Sequence, residues 1–158
     1  MLRFRTACAG GLVVLVLGLA MAASVADDNM ANIIKYRQGL MKADADHARD
    51  IGMILKNEVP FNARHIEEHA VAINAMSKLI IQCFPKGSGP ASGNKTRAKE
   101  DIWTHWEKFM ADAVALERES AKLVDLTRTG NMNQIEAQMA IVGQNSCGDC
   151  HEDFRTGD

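Results

Sequence analysis

Apolar side chains recur every three or four residues through almost the whole chain, and this periodicity constrains the fold more than any other feature of the sequence. Such spacing places the apolar residues on one face of a helix, whereas a half-buried strand would show strict alternation. No stretch alternates in that way, and no short β-branched run stands between turn signals. Four stretches carry the helical pattern: helix A (27–57), helix B (62–82), helix C (102–130) and helix D (131 to the C-terminal cysteines). The sequence therefore predicts an all-α fold, an antiparallel up-down-up-down four-helix bundle.

Residues that favour helix ends separate these stretches. Asn62 is of a type preferred for capping the start of helix B. Gly130 offers a left-handed residue to the end of helix C, and Asn131 with Gln134 resembles a capping box at the start of helix D. The segment 84–96 is rich in Gly, Pro, Ser and Asn, which predicts a loop between helices B and C rather than a domain boundary.

The first 26 residues have the layout of a secretory signal peptide. Two arginines precede an apolar run from Gly11 to Met21, and small residues follow. A run of this length is too short to cross a membrane, which needs about 20 apolar residues. Because Ser24-Val25-Ala26 fits the small-x-small cleavage pattern, we expect cleavage after Ala26 and a single mature domain over residues 27–158.

The charge balance excludes one broad class of function. The full chain carries 18 basic and 20 acidic side chains, and two of the basic ones, Arg3 and Arg5, leave with the predicted signal peptide. Binding to nucleic acid depends on clustered Lys and Arg that neutralise phosphates. An acidic mature chain is therefore not expected to bind nucleic acid.

The stretch NSCGDCHEDF, residues 145–154, combines two cysteines with a histidine near the C-terminus. Cys147, Cys150 and His151 stand at i, i+3 and i+4, so they share one face of a helix. A zinc site would need a fourth ligand and usually a second Cys/His pair, and a thioredoxin-type dithiol expects a βαβ context. Two cysteines followed at once by histidine in an exported chain are typical of c-type haem attachment. We therefore predict one covalent haem c per chain, with thioethers to Cys147 and Cys150 and with His151 as the proximal iron ligand.

Four stretches of the chain resemble the cytochrome c prime family, the class II c-type cytochromes. They are KYRQGLM (35–41), LKNEVPF (55–61), IWTHWEKF (102–109) and CGDCHEDFR (147–155). In that family the haem-binding motif lies on the last helix of a four-helix bundle, and here too the motif stands at the far C-terminus. One departure is Ala98-Lys99, where relatives often carry Leu-Pro, and it bears only on the start of helix C.

The resemblance implies roles for four further residues. Arg37 and Gln38 match the family's pair near the haem propionates, and Met41 matches the position facing the distal side of the iron. Arg155 matches the basic residue beside the proximal imidazole. Independently of the family, Arg37, Met41 and Asp44 share one helical face, and an arginine fork suits a carboxylate. The resemblance also implies a homodimer through helices A and B and, with the signal peptide, a location in the periplasm.

Two functions follow from a haem in such a bundle. The first is transfer of single electrons, with a redox partner protein that the sequence does not identify. The second is binding of a diatomic gas, NO or CO, at a sixth iron position that Met41 crowds without coordinating. In an alternative, Met41 is itself the sixth ligand of a low-spin electron carrier, because thioether sulfur is a competent haem ligand. The KYRQGLM pattern favours the open site, and neither function makes the protein an enzyme.

Two further features have simpler interpretations. The stretch HIEEH, residues 65–69, formally matches a zinc-protease pattern, and a zinc-dependent hydrolase using His65, Glu68 and His69 is the remote alternative. A polar helix face with solvated His and Glu is favoured instead. Cys83 is interpreted as a buried small apolar residue rather than a disulfide between subunits.

Overall fold

The computed structural model describes the backbone of residues 11–157 and the side chains of residues 29–157. Its α-helices are α1 (Gly11–Leu55), α2 (Ala63–Ser77), α3 (Asp101–Thr104), α4 (Trp106–Thr127), α5 (Met132–Ala140) and α6 (Asp149–Phe154). A π-helical segment, Ile141–Gly148, joins α5 to α6. Within the described backbone, β pairing is limited to an isolated antiparallel bridge between Ala98 and Arg155. The all-α prediction is confirmed.

The N-terminal part of α1 overlaps the predicted signal peptide. Residues 1–26 lie outside the described side chains, so cleavage after Ala26 stays a prediction. Across the part of the chain that the structure describes, no helix has both the length and the apolar character needed to cross a membrane.

The predicted caps form where the sequence indicates them. The Asn62 side chain accepts a hydrogen bond from Arg64 N at 3.0 Å and caps α2. Gly130 adopts φ +71° after α4, a left-handed conformation that glycine takes without steric cost. Asn131 accepts a hydrogen bond from Gln134 N at 3.2 Å at the start of α5. The connections of the bundle are therefore set largely by local sequence.

Helix B ends earlier than predicted. It stops at Ser77 rather than near Gln82, and a 3-10 turn, Ile81–Cys83, follows. Cys83 is 3% exposed, and its Sγ donates to Leu79 O at 3.1 Å. The interpretation of Cys83 as a buried small residue is confirmed.

Predicted helices C and D are each interrupted. Helix C begins as α3 and restarts as α4 after His105, whose φ of −118° and ψ of 43° are not helical. In α3, Trp103 Nε1 donates to the carbonyl oxygens of Phe84 and Pro85, each at 3.2 Å. This tertiary contact fixes α3 to the loop, and periodicity alone does not reveal it. Helix D widens in the π-helical segment, a feature that is frequent at functional sites.

The four helices of the bundle are α1, α2, α3 with α4, and α5 with α6. The α2 helix packs against both α1 and α4, while α4 also packs against α5, the π-helical segment and α6. Fully buried aliphatic side chains fill these contacts: Ile66, Ile73, Leu123, Ile135 and Val142. Burial of each contributes roughly 1.5–3 kcal/mol. We call the π-helical segment and α6 together the C-terminal segment; a cavity lies between it and α1.

Candidate functional site

The cavity between α1 and the C-terminal segment has a volume of about 490 Å³. Small-molecule and cofactor sites typically have volumes of about 300–1,000 Å³. Much of the wall is apolar, with contributions from Ala45, Ala48, Ile73, Ile80, Phe109 and Leu116. The residues predicted from sequence for the site all line it: Arg37, Gln38, Met41, Cys147, Cys150, His151 and Arg155. The fold therefore brings together two stretches that are more than a hundred residues apart.

The two cysteines of the motif are free thiols in the cavity wall. Burial raises the pKa of Cys147 to about 11, and the charge of Asp44 contributes. Burial raises the pKa of Cys150 to about 12, with a contribution from Asp112. Redox-active and metal-binding cysteines are thiolates, which need a lowered pKa. Two protonated thiols therefore lack the lowered pKa of a dithiol redox centre, and among the residues described no group of three or more metal-ligating side chains accompanies them. They stand in the cavity wall, where a bound group could attach covalently.

His151 follows Cys150 directly and is half-buried on α6. Burial lowers the pKa of its imidazole, and the charges of Arg155 and Arg97 lower it further. A lowered pKa keeps the ring neutral near pH 7, which is the form that ligates a metal. Arg155 N also donates to His151 O at 3.0 Å. The predicted basic residue beside the imidazole is thus close enough to influence it.

Arg97 is a cavity residue that sequence reasoning missed. It reaches the site because the isolated bridge brings residues 97–98 beside the chain end, where Thr156 N donates to Arg97 O at 2.8 Å. Arg97 in turn donates through Nε and Nη2 to Thr156 O, at 3.3 and 3.2 Å. No pattern in the sequence signals a contact between segments so far apart.

Arg37 is almost completely buried, with 3% exposure. Its Nη1 donates to Ser88 Oγ at 2.9 Å, and its Nη2 donates to Ser88 O at 2.9 Å and to Thr96 Oγ1 at 2.8 Å. The neighbouring Gln38 Nε2 donates to Lys95 O at 3.0 Å. Both side chains therefore tie α1 to the loop 84–96, and their contact with haem propionates stays a prediction.

Three arginines gather at this end of the cavity. Arg37 contacts Thr96, which precedes Arg97, and Arg97 pairs through its backbone with the residue after Arg155. Guanidinium groups bind carboxylates and stay charged at any physiological pH. The arrangement makes this end of the cavity cationic, whereas the rest of the wall is largely apolar apart from Asp44 and Asp112.

Met41 and Asp44 face the cavity from the next turn of α1. Apolar side chains from α1 and α2 line the wall nearby, among them Ala45 and Ile73. Asp44 is the exception in this wall. Its Oδ1 is enclosed and has no hydrogen-bond partner in the described part of the chain, and burial raises its pKa to about 7.

The HIEEH histidines do not converge on a metal. His65 Nδ1 lies 3.2 Å from Asn62 Oδ1 at the cap of α2, and its ring stacks on Phe61. His69 Nδ1 instead lies 2.8 Å from His47 Nδ1 on α1. Among the residues described, no group of three or more His, Cys, Asp or Glu side chains could hold a metal ion. The zinc-hydrolase alternative is not favoured.

Comparison with known proteins decides the family. Residues 32–155 match the family profile described as Cytochrome C'. The chain belongs to the cytochrome c' family. A cytochrome c' from Pararhodospirillum photometricum is 33% identical over 122 residues, which are 77% of this chain and 94% of that relative.

Solved structures of cytochromes c' have the same fold. The crystal structure from Rubrivivax gelatinosus superposes with a TM-score of 0.73 at 28% identity, covering 80% of this chain and 97% of that one. A variant of cytochrome c prime from Alcaligenes xylosoxidans, solved as its nitric oxide complex, superposes with a TM-score of 0.72 at 23% identity, covering 81% of this chain and 97% of that one. The predicted four-helix bundle and the resemblance to the family are both confirmed.

Membership of the cytochrome c' family means that the chain is a monohaem electron carrier with covalently attached haem c. The cavity of this cytochrome c' fits that group in three respects. Two neutral thiols and a neutral imidazole stand together on the C-terminal segment. Three arginines line the cavity, and guanidinium groups are suited to bind carboxylates. The remaining wall is largely apolar.

Asp112 is a second cavity residue that sequence reasoning missed. It lines the wall from α4 and pairs with Lys108 at 2.9 Å. A signal for it did exist, because Asp112 interrupts the apolar stripe of helix C between Phe109 and Ala113. A carboxylate within a buried stripe is uncommon unless it has a partner or a function.

Proposed function

We propose that this cytochrome c' carries single electrons and binds a diatomic gas, NO or CO, at a haem held by Cys147, Cys150 and His151. One observation carries the proposal. A single cavity has Cys147, Cys150 and His151 in the wall formed by the C-terminal segment, and Met41 in the wall formed by α1. That arrangement offers covalent attachment and one axial ligand from one side, and an apolar side chain from the other.

Each group in the cavity has a definite part in this function. When bound, haem supplies an iron that exchanges one electron between its ferric and ferrous forms. Cys147 and Cys150 would hold the group through thioether bonds, and His151 would be the proximal ligand. Arg155 would repel a proton from the imidazole and so keep it in the ligating form, because its charge lowers the pKa of His151.

The arginine-rich end would orient the haem. Arg37, Arg97 and Arg155 offer positive charge to the propionates there, and Arg37 is already fixed by its bonds to the loop. A side chain that is held before the ligand arrives loses less conformational freedom on binding. The apolar remainder of the wall excludes water, and this exclusion strengthens the effect of nearby charges on the reduction potential.

Gas binding is supported by the surroundings of Met41. The neighbouring wall contains Ala45, Ala48, Ile73 and Ile80, which offer no hydrogen bond to a ligand, and Asp44 is its polar exception. A largely apolar distal pocket favours small neutral gases over ligands that need polar stabilisation. The related fold solved as a nitric oxide complex agrees with this proposal. The alternative, with Met41 as sixth ligand of a low-spin carrier, is not favoured.

The attachment is tested by the mass and the spectrum of the purified holoprotein. The intact mass should exceed that of the chain by one haem, and Cys147→Ser with Cys150→Ser should lose the covalent group. Cys83→Ser is the matched control, since this cysteine is buried outside the cavity lining. A double variant that still carries covalent haem would overturn the assignment of the two cysteines.

The two activities are tested on the same holoprotein. A reductive titration should show one electron taken up per chain, and the reduced protein should change its visible spectrum on addition of CO or NO. A haem that takes up the electron but binds neither gas would support electron transfer and contradict gas binding. We propose a carrier and gas binder rather than an enzyme, because no catalytic residue is needed for either activity.

Location and assembly are further parts of the proposal. The layout of residues 1–26 and the c-type haem both support export to the periplasm, so the mature protein should begin at Asp27. A homodimer through α1 and α2 is supported by exposed apolar side chains there, with Tyr36 57% and Val71 46% exposed. N-terminal sequencing tests the first point. Sedimentation of wild type beside Val71→Asp tests the second, and a monomeric wild type would remove the dimer.

A further inference from the structure

Asp44 is the one side chain in the described residues with a buried polar atom that lacks a hydrogen-bond partner. The atom is Oδ1, and the carboxyl group lines the same cavity as Met41 and Cys147. The residue as a whole is half-buried, but a carboxylate oxygen that is enclosed without a partner is unfavourable in its charged form. The neutral acid is therefore favoured at this position of the cavity wall.

The position of Asp44 along α1 separates it from the cationic end. Arg37 lies seven residues earlier on the same helix, which corresponds to roughly 10 Å along the axis. Asp44 lines the cavity together with Cys147, and after burial its charge is the further contribution to the raised pKa of that thiol. The carboxyl group thus belongs to the part of the cavity that holds the first predicted thioether bond, and Arg37 lies two helical turns away.

No cation from the neighbouring elements pairs with Asp44 in the described structure. The charged and titratable groups that face the cavity are Arg37 from α1, Arg97 from the chain before α3, Asp112 from α4, and Cys147, Cys150, His151 and Arg155 from the C-terminal segment and its end. Asp112 is itself paired with Lys108 at 2.9 Å. From α2 the cavity receives Ile73, which carries no charge.

We propose that Asp44 couples electron transfer to proton uptake in this protein. When a one-electron donor reduces the ferric haem, the Asp44 carboxylate takes one proton from water and becomes a neutral carboxylic acid. When an acceptor removes the electron, the O–H bond breaks and the proton returns to water. One electron and one proton enter together, so the net charge of the cavity does not change. This inference rests on the proposed haem site.

The physical reason is that an added electron and a nearby carboxylate repel each other in a medium of low dielectric constant. Protonation of Asp44 removes that repulsion. Burial already raises the pKa of the group to about 7, so the proton is exchanged in the neutral range. The reduced protein binds the proton more tightly than the oxidised protein. The reduction potential must therefore fall as pH rises between the pKa of Asp44 in the oxidised state and its higher pKa in the reduced state.

The test is the reduction potential of the holoprotein, measured by spectroelectrochemistry from about pH 5 to pH 9, around the raised pKa of a buried carboxyl. Wild type should show a potential that falls with pH by at most 59 mV per unit, the limit for one proton per electron. Asp44→Asn should lose that slope and have a higher potential at the alkaline end, because it never carries the negative charge. An equal slope in wild type and Asp44→Asn overturns the inference.

Asp112→Asn is the matched control. It removes a carboxylate from the same cavity, but that carboxylate is already paired with Lys108. We expect this variant to keep the slope of wild type. Loss of the slope in Asp112→Asn alone would assign the proton to Asp112 instead.

A second measurement needs only wild type and therefore does not depend on the folding of a variant. The infrared difference spectrum between reduced and oxidised protein should show the C=O stretch of a neutral carboxylic acid appearing on reduction. Its absence near neutral pH overturns the inference. A chain without covalent haem fails the proposed function itself, whereas a haem that cycles at a potential independent of pH leaves that function standing and removes only the role of Asp44.

Discussion

Arg37 on α1 and Ser88 in the loop 84–96 form a two-point contact, in which Nη1 donates to Ser88 Oγ and Nη2 to Ser88 O, each at 2.9 Å. Ser88 is completely buried. The Phe84 ring also lies 4.5 Å from the Arg37 guanidinium carbon. Loops are generally more mobile than the elements they connect, and here Arg37, together with Gln38, connects the loop to the helix that forms one wall of the cavity.

Replacement of Arg37 should destabilise the protein more than replacement of an exposed arginine. Arg37→Lys keeps the charge but lacks the planar guanidinium that donates to both Ser88 and Thr96. We expect a loss of about 2–3 kcal/mol in the free energy of unfolding. Arg49→Lys is the control, because Arg49 is 61% exposed and pairs with Asp46 on the surface. Denaturant unfolding measures both. Equal effects of the two substitutions would show that the loop contacts of Arg37 contribute little.

The buried pair of Glu119 and Gln138 predicts sensitivity to acid. Gln138 Nε2 donates to Glu119 Oε2 and Glu119 O, each at 3.0 Å, and this bond with those from Lys122 and Arg118 lowers the pKa of Glu119 to about 2. A lowered pKa in the folded state contributes stability above the unfolded value of 4.5, and this contribution is lost as pH falls toward 2.

Glu119→Gln should therefore reduce stability at pH 7 by about 1 kcal/mol and have less effect near pH 3. Denaturant unfolding at both pH values is the measurement. Asp125→Asn is the control, since Asp125 is 77% exposed and pairs with Arg128 on the surface. A penalty for Glu119→Gln that is the same at both pH values would contradict the role of its ionised form.

Asp44 should affect stability with the opposite dependence on pH. Its pKa is raised from 3.8 to about 7 by burial, so the folded state binds the proton more tightly than the unfolded state. Stability must then fall as pH rises from about 4 to 7, and the penalty is complete above that interval. Asp44→Asn should stabilise the protein by about 1–2 kcal/mol at pH 8 relative to its effect at pH 5. Thermal unfolding of both proteins at the two pH values checks this difference.

Much of the site could be predicted because its residues occur within two short stretches. The CGDCH motif gave Cys147, Cys150 and His151 through its chemistry, and the helical spacing of Arg37 and Met41 placed both on one face. The described structure has all of them in one cavity. Local sequence also decided the cap of α2 and the end of α4, because capping depends on neighbouring residues.

The rest of the site depends on contacts between distant segments. Arg97 lines the cavity only because the bridge of Ala98 with Arg155 brings it there. The contact of His47 on α1 with His69 on α2 likewise has no local signal in the sequence. Periodicity predicts which face of a helix is buried, but not which polar groups meet across an interface.

The side chain of Met41 should act as a steric gate on the distal side of the haem. It lies in the cavity wall formed by α1, and the wall around it contains small and apolar side chains such as Ala45 and Ala48. Its thioether could ligate iron, so only a spectroscopic measurement separates a gate from a ligand. We expect visible and EPR spectra of a high-spin haem in wild type, and the same spin state in Met41→Ala.

The comparison of ligand rates completes this test. If Met41 is a gate, Met41→Ala enlarges the distal space by the volume of a thioether side chain, and the reduced variant should bind CO faster than wild type by at least about tenfold, or roughly 1.4 kcal/mol of barrier. Met41→Leu is the control, because leucine has a similar volume but no sulfur, and it should keep the slow rate. A low-spin wild type whose methionine–iron charge-transfer band disappears in both variants would make Met41 the sixth ligand. The protein would then be an electron carrier without a free iron position for a gas.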